Sequence, residues 1–238
     1  MKNALDKTVK DAQVALGDFF DNAVLMSAGF GLSGIAENCI EQIKNSYKKN
    51  LTVISNNCGN QGKGLAILLQ NKQVKKVICS FVGGNPDLEE LMLNKQIEVE
   101  LVPQGTLAER IRAGGAGIGG FFTPTGVGSL IAEAKEHRIL NGKTMIFETS
   151  LLADFAILRA HTADTYGNCR FFRTSRNFAP LMATAAKVTI VEAENIVPLG
   201  ALAPDDIHLP GIFVNRVFLG KNYQNTIEHL KIKKNDTW

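Results

Sequence analysis

The sequence predicts an α/β protein: a mainly parallel central sheet flanked by helices, followed by a β-rich second half. Three observations carry that reading. Up to residue 102, short apolar runs alternate with amphipathic stretches in a repeated strand, helix, strand order, the pattern of a parallel sheet with helices on its faces. Those runs are bounded by Gly, Asn and Asp, which end strands. No linker, internal repeat or low-complexity segment divides the 238 residues. One domain over 1–238 is therefore expected, with a core at about 18–220 and a C-terminal tail over 221–238.

The elements follow in order. A first helix is expected over 7–16. Residues 23–28 (AVLMSA) lie between Asp21-Asn22 and Gly29 and read as a buried strand. Over 34–48, Ile35, Cys39, Ile40, Ile43 and Tyr47 fall near one face of a helix. A strand over 51–55 stops at Asn56-Asn57, and a loop over 59–64 leads to a short helix over 65–70. A strand over 74–81 ends at Gly83-Gly84, and Pro86 takes a permitted early position in a helix over 86–93. A strand over 97–102 precedes Pro103-Gln104-Gly105 and an amphipathic helix over 106–112. Gly114, Gly115, Gly117, Gly119 and Gly120 come next and read as a loop, where missing side chains permit close backbone approach. In the second half, strands are expected over 144–148, 155–160, 170–173, 188–192 and 213–219, with a helix over 177–186.

Composition narrows the function classes. Hydrophobic residues make up 45% and charged residues 21%, and the net charge is +3, all ordinary for a globular chain. The densest basic cluster, Lys231-Ile232-Lys233-Lys234, reads as a solvated tail, and no basic stripe with interleaved aromatics points to nucleic acid. No apolar run approaches the roughly 18 residues of a membrane span, and no signal peptide is recognised. A cytoplasmic location with reduced thiols is therefore expected. Cys39, Cys58, Cys79 and Cys169 form no CxxC pair, and the four histidines show no ligand spacing, so no metal site is expected.

In an open parallel sheet, ligands bind beyond the carboxyl ends of the strands. The residues expected there are Gly29-Phe30-Gly31, Asn56-Asn57, Gly83-Gly84 and Pro103-Gln104-Gly105. None is a strong nucleophile, acid or base. A carboxamide offers a donor and an acceptor without titrating. Gln104, Asn56 and Asn57 can thus hold a carbonyl or carboxylate, or stabilise an oxyanion; equally, the asparagines can end a strand and Gln104 cap a helix. The loop Gly29-Phe30-Gly31-Leu32-Ser33-Gly34 can face a ligand with its backbone N–H groups beside a positive helix end, or serve close packing. Ser33 lies outside a GxSxG elbow, which argues against a hydrolase. Glu37, Glu109 and Arg110 read as helix charges, and His161 is an isolated acid–base candidate. Arg173, Arg176 and Asn177 flank a strand-to-helix junction, where they can pair an anion or be structural.

Six motifs in order, GFGLSGIAEN, ISNNCG, VPQGTLAERIRAGGAGIGGFFTPTGVG, ADFAILRAHTADTYGN, RNFAPLMATAAKVTIVEAENIV and DDIHLPGIFV, span almost the whole chain. Together they resemble the A subunit of a family I coenzyme A transferase, nearest to 3-oxoacid CoA-transferases of the succinyl-CoA:acetoacetate kind. The resemblance implies the NagB/RpiA/CoA transferase-like fold and transfer of CoA between carboxylic acids. In the family a glutamate attacks the acyl-CoA thioester and forms a glutamyl-CoA intermediate, which is covalent catalysis by a carboxylate. Coenzyme A is then a substrate, and neither a metal nor a bound cofactor is implied. That glutamate belongs to a B subunit, in a Glu-Asn-Gly motif. This sequence has Glu37-Asn38-Cys39 and Glu194-Asn195-Ile196 instead. The resemblance thus implies inactivity alone and an A2B2 assembly with a B partner.

By the same resemblance Gln104 meets the reacting carbonyl, Asn56 and Asn57 line the acid site, and Ala28, Gly29, Phe30, Gly31, Leu32, Ser33 and Gly34 bind CoA. Ala28 replaces a family glycine and Ala36 a family proline; the Ala28 methyl is expected to narrow the approach to the loop. The stretch CGNQGKGLA leans towards 3-oxoadipate enzymes and SFVGGNPDLEE towards acetoacetate enzymes. The alternatives are the A subunit of a 3-oxoadipate CoA-transferase and a non-catalytic binding or regulatory protein of the same fold.

Overall fold

The computed structural model describes residues 5–224. His229 and the Lys231–Lys234 cluster, with most of the expected tail, lie outside them. Seven strands form a parallel sheet in the order β11-β10-β8-β1-β2-β3-β4. They are β1 (Val24–Ser27), β2 (Leu51–Ile54), β3 (Val74–Cys79), β4 (Glu98–Leu101), β8 (Ala153–Asp164), β10 (Ala186–Val197) and β11 (Arg216–Leu219). The short β9 (Cys169–Arg170) turns back antiparallel on β8. The helices are α1 (Ala12–Ala15), α2 (Glu37–Ser46), α3 (Ala66–Gln70), α4 (Pro86–Leu93), α5 (Gln104–Gly115) and α6 (Ala179–Thr184).

Successive strand side chains point to opposite faces, and the two faces of this sheet build two cores. Leu25, Leu51, Val53, Val77, Phe155, Ile157 and Ile190 pack with Ile40 and Ile43 of α2 and Leu68 of α3. Met26, Ile54, Ile78, Ala156, Leu158 and Val191 pack on the other side with Leu107 and Ile111 of α5 and Met182 of α6. This is the three-layer α/β arrangement the alternating pattern implies. All four cysteines are free and buried.

Several elements differ from expectation. Residues 7–9 do not continue a helix down to α1; they run alongside β11, where Val9 N–H donates to Val217 and Val217 N–H to Lys7. The packed core thus begins before residue 18, with Ala15 and Leu16 buried. The helix after Pro103 starts at Gln104 and continues through Gly114 and Gly115, so part of the glycine run is helix. The segment expected as a loop also contains β5 (Gly120–Thr123), which pairs antiparallel with β7 (Lys143–Thr149). Strand β6 (His137–Leu140), exposed at every position, completes a separate three-stranded sheet. Strands β8 and β10 run twelve residues each, twice or more the length expected.

Buried Arg110 ties this small sheet to α5. Its Nε donates to the Thr149 carbonyl at 2.7 Å and Nη1 to Glu100 at 2.6 Å. The glycines play unequal parts. A Cβ on Gly114 would collide with the Leu151 carbonyl oxygen, and one on Gly115 with Thr184 of α6. Gly117 and Gly119 have nothing within 4 Å of that position. The close approach that Gly114 and Gly115 allow therefore lies about 15 Å along α5 from Gln104, at 1.5 Å per residue.

Candidate active site

Because β1 to β4 are parallel neighbours, with one register shift at the start of β2, their carboxyl ends lie at one edge. The β2–β3 ladder runs on past both strands: Ser55 N–H donates to Ile78, and Ser80 N–H to Asn56 at 2.9 Å. Asn56 and Ser80 therefore sit side by side. Gln104, in the first turn of α5, reaches them from the end of β4. Asn56 Nδ2 donates to Gln104 Oε1 at 2.9 Å and to Ser80 Oγ at 3.1 Å. Ser80 Oγ also contacts Gln104 Oε1. The structure thus brings together two of the three expected carboxamides and adds a hydroxyl that sequence reasoning missed. Asn57 turns away: its Nδ2 donates to Asn60 Oδ1 at 3.5 Å.

The loop after β1 is a tight turn in which Phe30 and Ser33 exchange backbone hydrogen bonds of 3.0 and 3.1 Å. Gly29, Gly31 and Gly34 hold φ of +136°, +59° and +77°, which only glycine adopts at little cost. Most of the N–H groups of this loop are spent within the chain. Ala28 N–H donates to Ile157, Gly29 N–H to Asn177 Oδ1, Gly31 N–H to Asn56 Oδ1, and Phe30 and Ser33 to each other. The Ala28 methyl does not narrow the loop either; it is buried in the core with Met26 and Ile54.

Asn177 clamps this loop. Its Oδ1 accepts from Gly29 at 3.0 Å and Phe178 at 2.7 Å; its Nδ2 donates to the carbonyls of Ser33 at 3.2 Å and Ser175 at 2.8 Å. Asn177 itself has φ 28° and ψ −118°, a strained conformation for a residue with a Cβ. Of the three residues at this junction, Asn177 is thus structural, while Arg173 and Arg176 are exposed.

On the far side of the loop lies a cleft of about 390 Å³ lined by Leu32, Ser33, Gly34, Arg159, His161 and Glu194, among others. Strand β8 outruns β1, so Arg159 and His161 project beside the loop. Arg159 Nε donates to Glu194 at 2.9 Å and Nη1 to Glu37 at 3.4 Å; His161 Nδ1 lies 3.1 Å from Glu194. Glu37 is thus an ion-pair partner at the start of α2, and His161 is part of a charge cluster rather than isolated. Glu109 pairs with Arg112 on the exposed face of α5.

Beneath that cluster, fully buried Glu192 caps α2: its Oε2 accepts from Cys39 N–H at 3.0 Å. Burial pushes its pKa up to about 7, and the Cys39 and Asn38 N–H groups and Arg159 offset only part of that. The buried thiols are pushed up as well, Cys79 to about 11, which makes them poor nucleophiles. Among the described residues, no group of three or more His, Cys, Asp or Glu could hold a metal ion, and no helix is long and apolar enough to cross a membrane.

The chemistry of the edge is that of a polar, non-titrating site. Asn56, Ser80 and Gln104 can donate hydrogen bonds and orient a carbonyl, but none is a carboxylate.

The chain matches the coenzyme A transferase family over residues 9–220. It is 50% identical over 224 residues to the A subunit of the succinyl-CoA:3-ketoacid coenzyme A transferase of Helicobacter pylori (strain J99), covering 94% of this chain and 97% of that one. It is 44% identical over 215 residues to the A subunit of the 3-oxoadipate CoA-transferase of Pseudomonas putida, covering 90% and 93%. Among solved structures, the apoenzyme of the acyl-CoA transferase YdiF from Escherichia coli O157:H7 superposes with a TM-score of 0.84 at 22% identity, over 92% of this chain. This chain spans about half of that larger one, 48%. The match over most of its length and the identity to full-length relatives place the chain in the coenzyme A transferase family.

Proposed function

We propose that this chain is the A subunit of a heteromeric transferase that moves CoA from succinyl-CoA to a 3-oxoacid such as acetoacetate. The nucleophilic glutamate comes from a B subunit. The observation that carries this reading is the orientation of Gln104. Its Oε1 is occupied by Asn56 and Ser80, so its amide NH2 faces the open edge. When a carboxylate attacks a thioester carbonyl, negative charge develops on the carbonyl oxygen. A fixed N–H donor aimed at that oxygen stabilises the transition state more than the ground state.

The partner's place is supported by what surrounds that group. Gln104 is exposed at the edge, and Phe30 and Phe81, at the ends of β1 and β3, are 55% and 57% exposed. A donor needs a dry site to act strongly, and a partner chain covering this aromatic rim supplies one. The relatives' names as A subunits and the half-length match to YdiF support the same division of labour. The assembly is A2B2 and cytoplasmic. CoA lies along residues 28–34, with Phe30 and the half-buried Gly31 as its contact surface, because most of the loop's N–H groups are spent internally. The acid lies at the strand ends beside the Gln104 amide, since Asn56 is spent within the cluster and Asn57 turns to Asn60. No cofactor is bound permanently.

The stretch CGNQGKGLA after Asn57 favours a second reading for the acid, 3-oxoadipate. Initial rates of the reconstituted pair with succinyl-CoA and each acid decide between them. A kcat/KM at least tenfold higher for acetoacetate supports the proposal; the reverse preference assigns 3-oxoadipate; no transfer to either overturns both.

A further inference from the structure

We infer that Ser80 is a positioning residue for the transfer reaction, which locks the amide of Gln104 with its NH2 towards the substrate; this rests on the proposed role of Gln104 at the reacting carbonyl. The polarity of the cluster is set from one end. A backbone N–H can only donate, so Gly31 N–H, 3.2 Å from Asn56, fixes Oδ1 of that side chain on its own side. The two Nδ2 hydrogens of Asn56 then point the other way, one to Ser80 Oγ at 3.1 Å and one to Gln104 at 2.9 Å. Gln104 must answer with an acceptor, Oε1.

Ser80 supplies the second half of the lock. Its backbone is held by the Asn56 carbonyl at 2.9 Å. Its hydroxyl accepts from Asn56 and turns its own hydrogen towards Gln104 Oε1, with the Asn56 carbonyl, at 3.1 Å, as the other acceptor in reach. Both lone pairs of Gln104 Oε1 are then used. Rotating the Gln104 amide by half a turn would set NH2 against NH2 of Asn56. The terminal torsion of glutamine is otherwise broad and roughly two-fold, so without the hydroxyl the donor is aimed at the substrate for a smaller share of the time. Ser80 touches neither substrate nor partner glutamate in this account; it acts through Gln104.

The test is a double-mutant cycle in the reconstituted A and B pair, reading kcat and KM for both substrates. Ser80→Ala is expected to lower kcat three- to tenfold, the scale of one hydrogen bond, with KM within twofold. Ser80→Thr, which keeps the hydroxyl, should retain most of the turnover. In a Gln104→Ala background, Ser80→Ala should cost nothing further. Equal losses in both backgrounds would overturn the inference, as would wild-type kcat in Ser80→Ala beside a slow Gln104→Ala. Should Ser80→Ala fail to assemble with its partner, Ser80→Cys takes its place, with kcat expected between Thr and Ala. Wild-type kcat in Gln104→Ala itself is a different result: it removes the role of Gln104, and the inference with it.

Discussion

Gly34 and Asn177 are fitted to each other: a Cβ on Gly34 would stand 2.9 Å from Asn177 Nδ2 and 2.5 Å from the Ser175 carbonyl oxygen. The contact joins residues far apart in the sequence, and the strained Asn177 holds both ends of the glycine turn through its side chain. Gly34→Ala combines that clash with a φ of +77°, so a loss of about 1–3 kcal/mol of stability is expected. At Asn177, both Gly and Ala lose the side-chain hydrogen bonds, but only Gly relieves the backbone strain. Asn177→Gly should therefore be the more stable by about 1 kcal/mol. Thermal unfolding of the three variants checks this. A Gly34→Ala protein with the parent Tm, or Ala equal to Gly at 177, would contradict the account of this clamp.

Glu192 gives the chain a pH signature. Its pKa rises from the ordinary 4.5 to about 7 because burial disfavours the charged form. Between pH 4.5 and 7 the folded chain therefore binds more proton than the unfolded chain, and stability falls as pH rises through that window. Above it the contribution is flat. Glu192→Gln, which mimics the protonated acid, should lack this slope and gain on the parent between pH 5 and 8 by up to about 3 kcal/mol. Tm profiles of parent and variant are the measurement; parallel profiles would refute the assignment.

The glycine run separates into positions that need glycine and positions that do not. Alanine is the better helix former by about 1 kcal/mol, yet Gly114→Ala should destabilise by more than about 2 kcal/mol. Its methyl would meet the backbone oxygen of Leu151, which cannot move without shifting the start of β8. Gly119→Ala should change stability by under about 0.5 kcal/mol, as for other unencumbered surface sites. Chemical denaturation of the two variants gives the comparison, and similar losses in both would show that the run acts as one flexible segment.

The fold was largely legible because the first four strands and their helices bury apolar runs bounded by turn residues. What was missed lacked that signal. Strand β6 is exposed throughout and is held by pairing with β7 and by Arg138 over the Phe122 ring of β5. The outer halves of β8 and β10 carry Arg159, His161 and Glu194, which interrupt the apolar pattern just where the strands outrun their neighbours. The helix expected from residue 7 gave way to pairing with Val217, a contact more than 200 positions distant. At the site, Asn56 and Gln104 were readable from their positions after strands. The direction of each amide was not, because it is fixed by Gly31. Ser80 fell inside the strand expected over 74–81, which ends at Cys79, and the Asn177 clamp joins residues 148 positions apart, beyond any local pattern.

The central claim is that this chain supplies the oriented amide and lacks the nucleophile. CoA transfer from succinyl-CoA to acetoacetate, measured for the purified chain alone and on titration with its B partner, tests it most directly. No transfer is expected from the chain alone, and activity should rise to saturation at a one-to-one ratio. Turnover by the isolated chain would contradict the claim.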